Sequence, residues 1–483
     1  MSARLRWLGP LALLLLVLLA PLLPRGPSAP VMRPAHVSGE VAHLTIVTPQ
    51  LEVVRRKFSS AFSAWYLEKY HQAVAVEFLN FGGAGEIVNF FQSSDSLFEK
   101  SGTYGVDIVW GGGDNLFNTR LKKRGYLQAA NLDPAVVAAA FPSADLNGVP
   151  LYDLDPKTGP QWFGAALSSF GIIYNKDLLR YLGLPEPRTW SDLADPRYRN
   201  WLVLADPTRS SSAKAALMTI VEYEMQTATR EGRPESAGWT RGMGLIRQIA
   251  ANAKSFASTA NALPGMVSSG DAAAAMSIDF YARAQVAAME PGRVGYVEPE
   301  GATIVTPEPI GIVTGARHPQ VARRFLEFIL SEPAQRLWLA RADPGREAPN
   351  MALRRLAIRR SVYDHPEHFT EYTNPFLAAG GFNTRPQRTN SFGLIDELVA
   401  LSCIELLEDL RETRKEILRS ARAQELDARL GMFPLDRDAA QQALEAYGAL
   451  SKGDPDKWLD LQYTWRELFT NEYRGLRKSA AAN

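Results

Sequence analysis

The chain has 483 residues, of which 46% are hydrophobic and 22% are charged, a composition typical of soluble globular proteins. Its net charge of +1 gives no sign of nucleic-acid binding or of attraction to an acidic membrane. A single cysteine, Cys403, excludes an intrachain disulfide and a multi-cysteine metal site. The length predicts roughly two to four domains.

The first 30 residues have the layout of a secretory leader. Arg4 and Arg6 precede an apolar run that extends from Leu8 to Leu23. This run is shorter than the ~20 residues that span a bilayer comfortably. We therefore expect residues 1–30 to be a signal peptide or an N-terminal membrane anchor, and the protein to be periplasmic or otherwise extracytoplasmic. Both fates of the leader, cleavage and retention as a tether, stay open.

After a linker over residues 31–41, predicted strands and helices alternate. The strands are predicted at 44–48, 74–79 and 106–110, and the helices at 51–70, 86–98 and 115–124. This alternation implies βαβ units and a mostly parallel sheet, with a ligand crevice beyond the carboxyl ends of the strands. Three loops fall there, at 48–50, 81–86 and 110–114. Two of them are rich in glycine, which lets backbone amides approach a ligand closely.

A second α/β block covers about residues 163–297 and contains a turn rich in hydroxyl groups. The apolar strand Trp201–Ala205 runs into Asp206–Ser212, and a helix of small and apolar residues follows. The first turn of a helix has unpaired N–H groups and partial positive charge, so a serine-rich helix start suits a small anion. Serine also caps helices without any ligand, and this segment alone leaves both interpretations open.

The rest of the chain is predicted to be mostly helical. A short strand at 311–313 precedes a helix at 319–330, and residues 394–423 form a long helical stretch. The charge run from Arg354 to Arg360 is expected to lie on one exposed helix face.

A set of segments in fixed order resembles the extracellular solute-binding proteins of ABC importers, in the group that includes ferric-ion, polyamine and phosphonate binders. These segments are Trp162–Asn175, Thr189–Leu193, Asp195–Pro196, the serine turn, Gly270–Met276, Gly295–Gly301 and Leu330–Gln335. The resemblance implies the type II periplasmic-binding-protein fold, in which two α/β lobes close around a ligand by hinge motion. It places lobe 1 at 43–160 with 306–345, lobe 2 at 161–305, and an additional helical region at 346–483.

The resemblance also implies a function. The protein would capture a small anionic or zwitterionic solute and deliver it to permease and ATPase subunits in the membrane, with no catalysis, cofactor, metal or nucleic-acid partner. In this interpretation Glu86 and Asp279 face a cationic group of the ligand, with Trp110 or Tyr281 stacked against it. The expected ligand-binding residues are Thr48, Gln50, Gly83, Glu86, Trp110, Gly112, Ser169, Ser210, Ser211, Ser212, Asp279 and Tyr281.

Three alternatives stay open. Ferric relatives typically use a histidine, a glutamate and a tyrosine pair, whereas the matching positions here read Leu51, Glu86 and Phe280-Tyr281, so two of four iron ligands are missing. A membrane-tethered sensor of the same ligand is equally compatible with the sequence. An enzyme is disfavoured, because the Gly83-Ala84-Gly85 segment has Val88 where a dinucleotide fingerprint needs its third glycine.

Overall fold

The computed structural model describes residues 39–341, 352–368, 374–378, 391–450 and 455–482, so the predicted leader lies outside the described residues. The strands are β1 (Ala42–Val47), β2 (Val74–Leu79), β3 (Ile108–Trp110), β4 (Leu127–Gln128), β5 (Asp145–Leu146), β6 (Val149–Pro150), β7 (Phe163–Ser168), β8 (Phe170–Asn175), β9 (Leu202–Ala205), β10 (Ala253–Ala257), β11 (Ala274–Ile278), β12 (Val294–Val297) and β13 (Thr306–Val313).

The helices surround two sheets. They are α1 (Glu52–Tyr70), α2 (Ala84–Ser101), α3 (Pro134–Ala140), α4 (Lys176–Leu182), α5 (Ser211–Arg230), α6 (Glu235–Ala250), α7 (Leu263–Ser269), α8 (Asp279–Ala288), α9 (Pro319–Leu330), α10 (Glu332–Leu339), α11 (Pro375–Ala378), α12 (Ser391–Val399), α13 (Leu407–Arg419), α14 (Ala423–Leu430), α15 (Arg437–Leu450) and α16 (Pro455–Ala481). The helix predicted at 115–124 is a π-helical turn at Leu116–Leu121 and a 3₁₀ turn that ends at Gly125.

Each sheet forms the centre of one lobe. The first has the order β2-β1-β3-β13-β4, with β7 paired to β13, and the second has the order β10-β9-β11-β8-β12. The βαβ strands pair in parallel, as predicted, but β13 is antiparallel to β3, β4 and β7, and β8 is antiparallel to β11 and β12. Both sheets are therefore mixed rather than mostly parallel, because the strands next to the connections between the lobes enter from the opposite direction.

The chain passes from lobe 1 to lobe 2 at Ser169, between β7 and β8, and returns between β12 and β13. The boundary between the lobes therefore lies at Ser169 and not at residue 161, since β7 pairs with β13 in the first sheet. Phe170 and Thr303 tie the two passages together. The Thr303 hydroxyl donates to the Phe170 carbonyl at 2.6 Å and accepts from its N–H at 3.2 Å.

The core of lobe 1 includes a segment that the sequence placed elsewhere. Leu353, Leu356 and Ile358 are buried in this core, and Leu356 bridges to Leu167 of β7. The expectation of an exposed helix face at 354–360 is wrong, because this segment runs largely without helix and its apolar side chains complete the lobe. A 3₁₀ turn begins only at Arg360.

Helices α12 to α16 pack on lobe 2 and share its hydrophobic core. The helix α16 contributes an apolar stripe at helical spacing, made of Trp465, Phe469, Tyr473, Leu476 and Ala480. Two buried arginines join these helices to the lobe through salt bridges and hydrogen bonds. Arg247 on α6 pairs with Glu472 at 2.5 Å, and Arg414 on α13 pairs with Asp427 at 2.8 Å while donating to the Ala194 carbonyl at 2.7 Å.

Candidate ligand-binding site

A cavity of about 320 Å³ lies between the two lobes. Lobe 1 contributes the loops after β1, β2 and β3, and lobe 2 contributes the segments after β9, β10 and β11. All six follow the carboxyl end of a strand, which is where ligands bind in open α/β sheets. The three loops selected from the sequence thus meet at one cavity, and its volume falls in the range of ~300–1,000 Å³ typical of small-molecule sites.

The serine turn forms one wall of this cavity. Ser210, Ser211 and Ser212 all line it, and Ser210 is also the N-cap of α5, with its hydroxyl accepting from the Ala213 N–H at 3.3 Å. The turn therefore both caps α5 and lines the cavity. The long helix α5 directs its N-terminal N–H groups and partial positive charge toward the cavity.

The glycine loops of lobe 1 approach the serine turn closely. A Cβ placed on Gly83 would lie 3.7 Å from the Arg209 carbonyl oxygen, and one on Gly113 would lie 3.8 Å from the Ser211 Cβ. Backbone amides of one lobe and hydroxyl groups of the other are thus brought within the reach of one small ligand.

Arg355 forms the floor of the cavity and was missed by the sequence analysis. Its side chain is 1% exposed, and its guanidinium group bonds Glu308 Oε2 at 2.6 Å, Ser168 Oγ at 2.9 Å and Gln50 Oε1 at 3.1 Å. The group also lies 4.2 Å from the ring centre of Phe280 in lobe 2. Arg355 therefore contacts both lobes at the base of the cleft.

Glu308 links this floor to a glycine loop. Its Oε1 accepts from the Gly112 N–H at 2.7 Å. Gly112 has φ +102°, which only glycine adopts readily, and a Cβ on Gly111 would lie 2.6 Å from Glu308 Oε1. The glycines of this loop allow the carboxylate to reach the backbone.

Charged groups of both signs line the cavity. Arg209, Lys214 and Arg355 are cationic, and Asp114, Glu222 and Glu308 are acidic. Burial raises the pKa of Asp114 to about 6. The cavity lining therefore contains three cationic and three acidic residues among those that the structure describes.

The comparisons with known proteins agree with this geometry. The family model for bacterial extracellular solute-binding proteins matches residues 106–354, just over half of the chain. The chain belongs to this family. Among the helices of the described residues, none is both long and apolar enough to cross a membrane.

Two curated relatives match parts of this solute-binding protein. The phosphoglycerate transport regulatory protein PgtC of Salmonella typhimurium is 27% identical over 181 residues, which is 38% of this chain and 41% of that protein. The iron uptake protein A1 of Synechocystis is 23% identical over 253 residues, 48% of this chain and 65% of the relative. The chain therefore spans less than half of the length of PgtC.

Solved structures show the same two-lobe α/β fold, which confirms the fold predicted from the sequence. The periplasmic binding protein AfuA of Actinobacillus pleuropneumoniae, with exogenous fructose-6-phosphate bound, aligns with a TM-score of 0.52 at 16% identity over 76% of this chain and 99% of that chain. The apo ferric ion-binding protein A of Pasteurella haemolytica aligns with a TM-score of 0.50 at 12% identity over 77% and 98%.

Seven of the twelve expected site residues line the cavity. They are Gln50, Gly83, Gly112, Ser210, Ser211, Ser212 and Tyr281. The other five lie outside the lining, and the structure corrects those expectations. They are Thr48, Glu86, Trp110, Ser169 and Asp279.

Three of these five serve the architecture of lobe 1. Trp110 is fully buried in its core against Phe58 and Trp338, so its ring cannot stack on a ligand. Thr48 is buried and donates to the Trp110 carbonyl at 2.6 Å. Glu86 accepts from the Gly83 N–H at 3.0 Å as the capping box of α2, so its carboxylate satisfies the helix start.

The remaining two residues, Ser169 and Asp279, lie outside the cavity lining and next to the connection between the lobes. Ser169 donates to Glu298 at 2.8 Å, while its neighbour Ser168, the last residue of β7, lines the cavity. Asp279 is fully buried, and neither carboxylate oxygen has a hydrogen-bond partner among the described residues. Burial raises its pKa to about 7, against the opposing field of Arg283.

The positions compared with ferric relatives give no set of iron ligands around the cavity. Leu51 is 39% exposed at the start of α1, outside the lining. Tyr281 lines the cavity, and burial raises its pKa above the ordinary value, which opposes formation of a tyrosinate. Within the described ranges no three His, Cys, Asp or Glu side chains gather as a metal cluster.

Proposed function

We propose that this protein is the extracytoplasmic solute-binding subunit of an ABC importer, which captures a small anionic solute between its lobes. Permease and ATPase subunits in the membrane would receive the solute. The observation that carries the proposal is the serine-rich start of α5, which faces the glycine loops of lobe 1 across one cavity. Family membership supports the transport role, and the contents of the cavity support the choice of solute.

The serine turn supports an anion for three reasons. The first N–H groups of α5 have no partners within the helix, the helix dipole favours negative charge at this end, and the hydroxyls of Ser211 and Ser212 line the same wall. Arg209 and Lys214 add positive charge beside it. This end of the cavity suits a phosphoryl or carboxylate group.

Other residues around the cavity support a solute that also carries donors. Glu308, Asp114 and Glu222 supply acceptor oxygens, and Asn80 and Asn261 supply amide groups. A hydroxylated organic phosphate has both features. Because PgtC is named for phosphoglycerate, 3-phosphoglycerate is the first candidate to test.

The proposal predicts binding without chemical change. Isothermal titration calorimetry with 3-phosphoglycerate, a sugar phosphate, a dicarboxylate and putrescine should give heats for the anions and none for the diamine. A bound anion should raise the melting temperature as its concentration rises above Kd. Mass spectrometry of the ligand after overnight incubation should recover it unchanged, and the appearance of a product would contradict a purely binding role.

A tethered sensor is the second candidate, favoured by the name of PgtC as a transport regulatory protein. The two roles can be distinguished in a strain that lacks this protein and expresses the permease and ATPase subunits from a constitutive promoter. Uptake of the solute should be lost if the protein is an importer subunit, and should persist if it acts only as a sensor.

A further inference from the structure

Lys214 lies between the cavity and the C-terminal helices. It is the fourth residue of α5, directly after the serine turn, and it lines the cavity. Its backbone N–H donates to the Ser210 carbonyl at 3.0 Å, which fixes the start of the side chain beside the serine hydroxyls. A cation there lies where the bound anion is expected.

The ammonium group of Lys214 forms a salt bridge with Asp396 of α12. The Lys214 side chain is 16% exposed and that of Asp396 is 10% exposed, so water screens this pair little. Leu394, Ile395 and Leu398 of the same helix are buried in the lobe 2 core, which fixes the position of the carboxylate. Asp396 lies beyond residue 354, where the family match ends.

The surroundings of Asp396 give its carboxylate little stabilisation apart from Lys214. Its Oδ1 is buried and has no hydrogen-bond partner in the described part of the chain. Burial raises the pKa of Asp396 to about 7, the charges of Glu397 on the same helix and Asp206 in the turn raise it as well, and Lys214 lowers it.

We propose that Asp396 is a positioning residue of the binding site, which holds the Lys214 ammonium group in place at the cavity wall. The C-terminal helices would thereby set the affinity of the site for anions, a role that rests on the proposed function. Lysine has a flexible four-carbon stem, so an ammonium group without this partner would sample many positions. Asp396 itself does not line the cavity and acts through Lys214.

The first test needs no solute. Acetic anhydride labelling at one fixed pH, read by mass spectrometry, compares how readily the Lys214 amine is reached in the wild-type protein, Asp396→Asn and Glu412→Gln. The Asp396→Asn change should raise the labelling rate of Lys214, because the side chain loses the partner that holds it. Glu412→Gln is the control, because Glu412 lies on α13 and pairs with Lys415. An unchanged rate in a folded Asp396→Asn protein overturns the positioning role.

The second test measures coupling. Calorimetry gives the Kd of 3-phosphoglycerate and of inorganic phosphate for wild type, Lys214→Met, Asp396→Asn and the double variant. We expect Asp396→Asn to weaken binding about tenfold in wild type, the scale of one charge-assisted hydrogen bond, and to have little effect once Lys214 is Met. An equal loss in both backgrounds, or none in either, overturns the proposal.

The two tests separate this inference from the proposed function. Failure of the wild-type protein to bind any anion would overturn the anion-binding function and the role of Asp396 in affinity, even if the labelling rate changes. Normal anion binding by wild type together with unchanged binding by Asp396→Asn overturns only the inference. Circular dichroism of each variant checks that the chain is folded, and Asp396→Ser provides a second variant if Asp396→Asn does not fold.

Discussion

Replacement of Arg355 by methionine tests the floor of the cavity most directly. Methionine fills much of the same space but cannot bond Glu308, Ser168 or Gln50. Glu308, whose side chain is 14% exposed, would keep its bond to the Gly112 N–H and lose its counter-charge. The variant therefore leaves a largely buried carboxylate without its partner.

The cost follows from the burial of this pair. Removal of one partner of a buried salt bridge costs about 3–5 kcal/mol, and the bond to Gly112 together with the residual exposure of Glu308 places the expected loss near the lower value. For a cooperative unit the size of one lobe, about 3 kcal/mol corresponds to a fall of roughly 6–12 °C in the unfolding midpoint. The same change should weaken anion binding, because Arg355 lines the cavity.

Thermal and urea unfolding at pH 7 measure this effect against two further variants. Arg360→Met lies in the same segment with an exposed side chain and should change stability by less than about 0.5 kcal/mol. Arg355→Met combined with Glu308→Gln removes both charges and should recover part of the lost stability. A loss below about 1 kcal/mol for the single variant would refute the reasoning, and so would a double variant that is no more stable than the single one.

Three other predictions concern the site and its surroundings. The triple change of Ser210–Ser212 to alanine should weaken anion binding more than tenfold by calorimetry while the protein stays folded, because each lost bond contributes about 0.5–1.5 kcal/mol, or up to ~3 if charge-assisted. Asp279 has a folded-state pKa near 7, above its unfolded value, so its stabilising contribution is complete at low pH and is lost as pH rises through 7. Asp279→Asn should therefore be more stable relative to wild type at pH 8 than at pH 5 in urea unfolding, by about 1.4 kcal/mol for each pH unit between 5 and the folded-state pKa near 7. Titration of the protein with ferric citrate should give no tyrosinate-to-iron absorption band, because burial keeps Tyr281 protonated.

Each of these has an outcome that contradicts it. Unchanged affinity in the triple serine variant would leave the serines with a capping role alone. If the free energies of unfolding of wild type and Asp279→Asn change in parallel between pH 5 and 8, the pKa of Asp279 is the same in the folded and unfolded states. A visible band that disappears in Tyr281→Phe would restore the ferric interpretation.

The sequence predicts those parts of the fold that depend on local patterns. The helix α9 has the predicted bounds 319–330, because a proline at its first turn and an apolar face mark it in the sequence. The serine turn was located by its strand, its hydroxyl run and the helix after it. In these cases the residues that decide the structure are neighbours along the chain.

The residues that the sequence misplaced depend on distant partners. Arg355 is buried only because Glu308, Ser168 and Gln50 converge on it, and Gln50 lies 305 positions away. No local pattern distinguishes such an arginine from an exposed one. Ser168 and Ser169 show a second limit, since a difference of one position at the end of β7 decides which of two serines lines the cavity.

The packing after lobe 1 divides the C-terminal part of the chain between the two lobes. Leu353, Leu356 and Ile358 are buried in the core of lobe 1, whereas α12 to α16 share the core of lobe 2. Between these two parts, the Arg355 guanidinium group lies 4.2 Å from the ring centre of Phe280. This contact joins one lobe to the other, so it would lengthen as the cleft opens. The solvent exposure of the Phe280 ring would then report how far the lobes have separated.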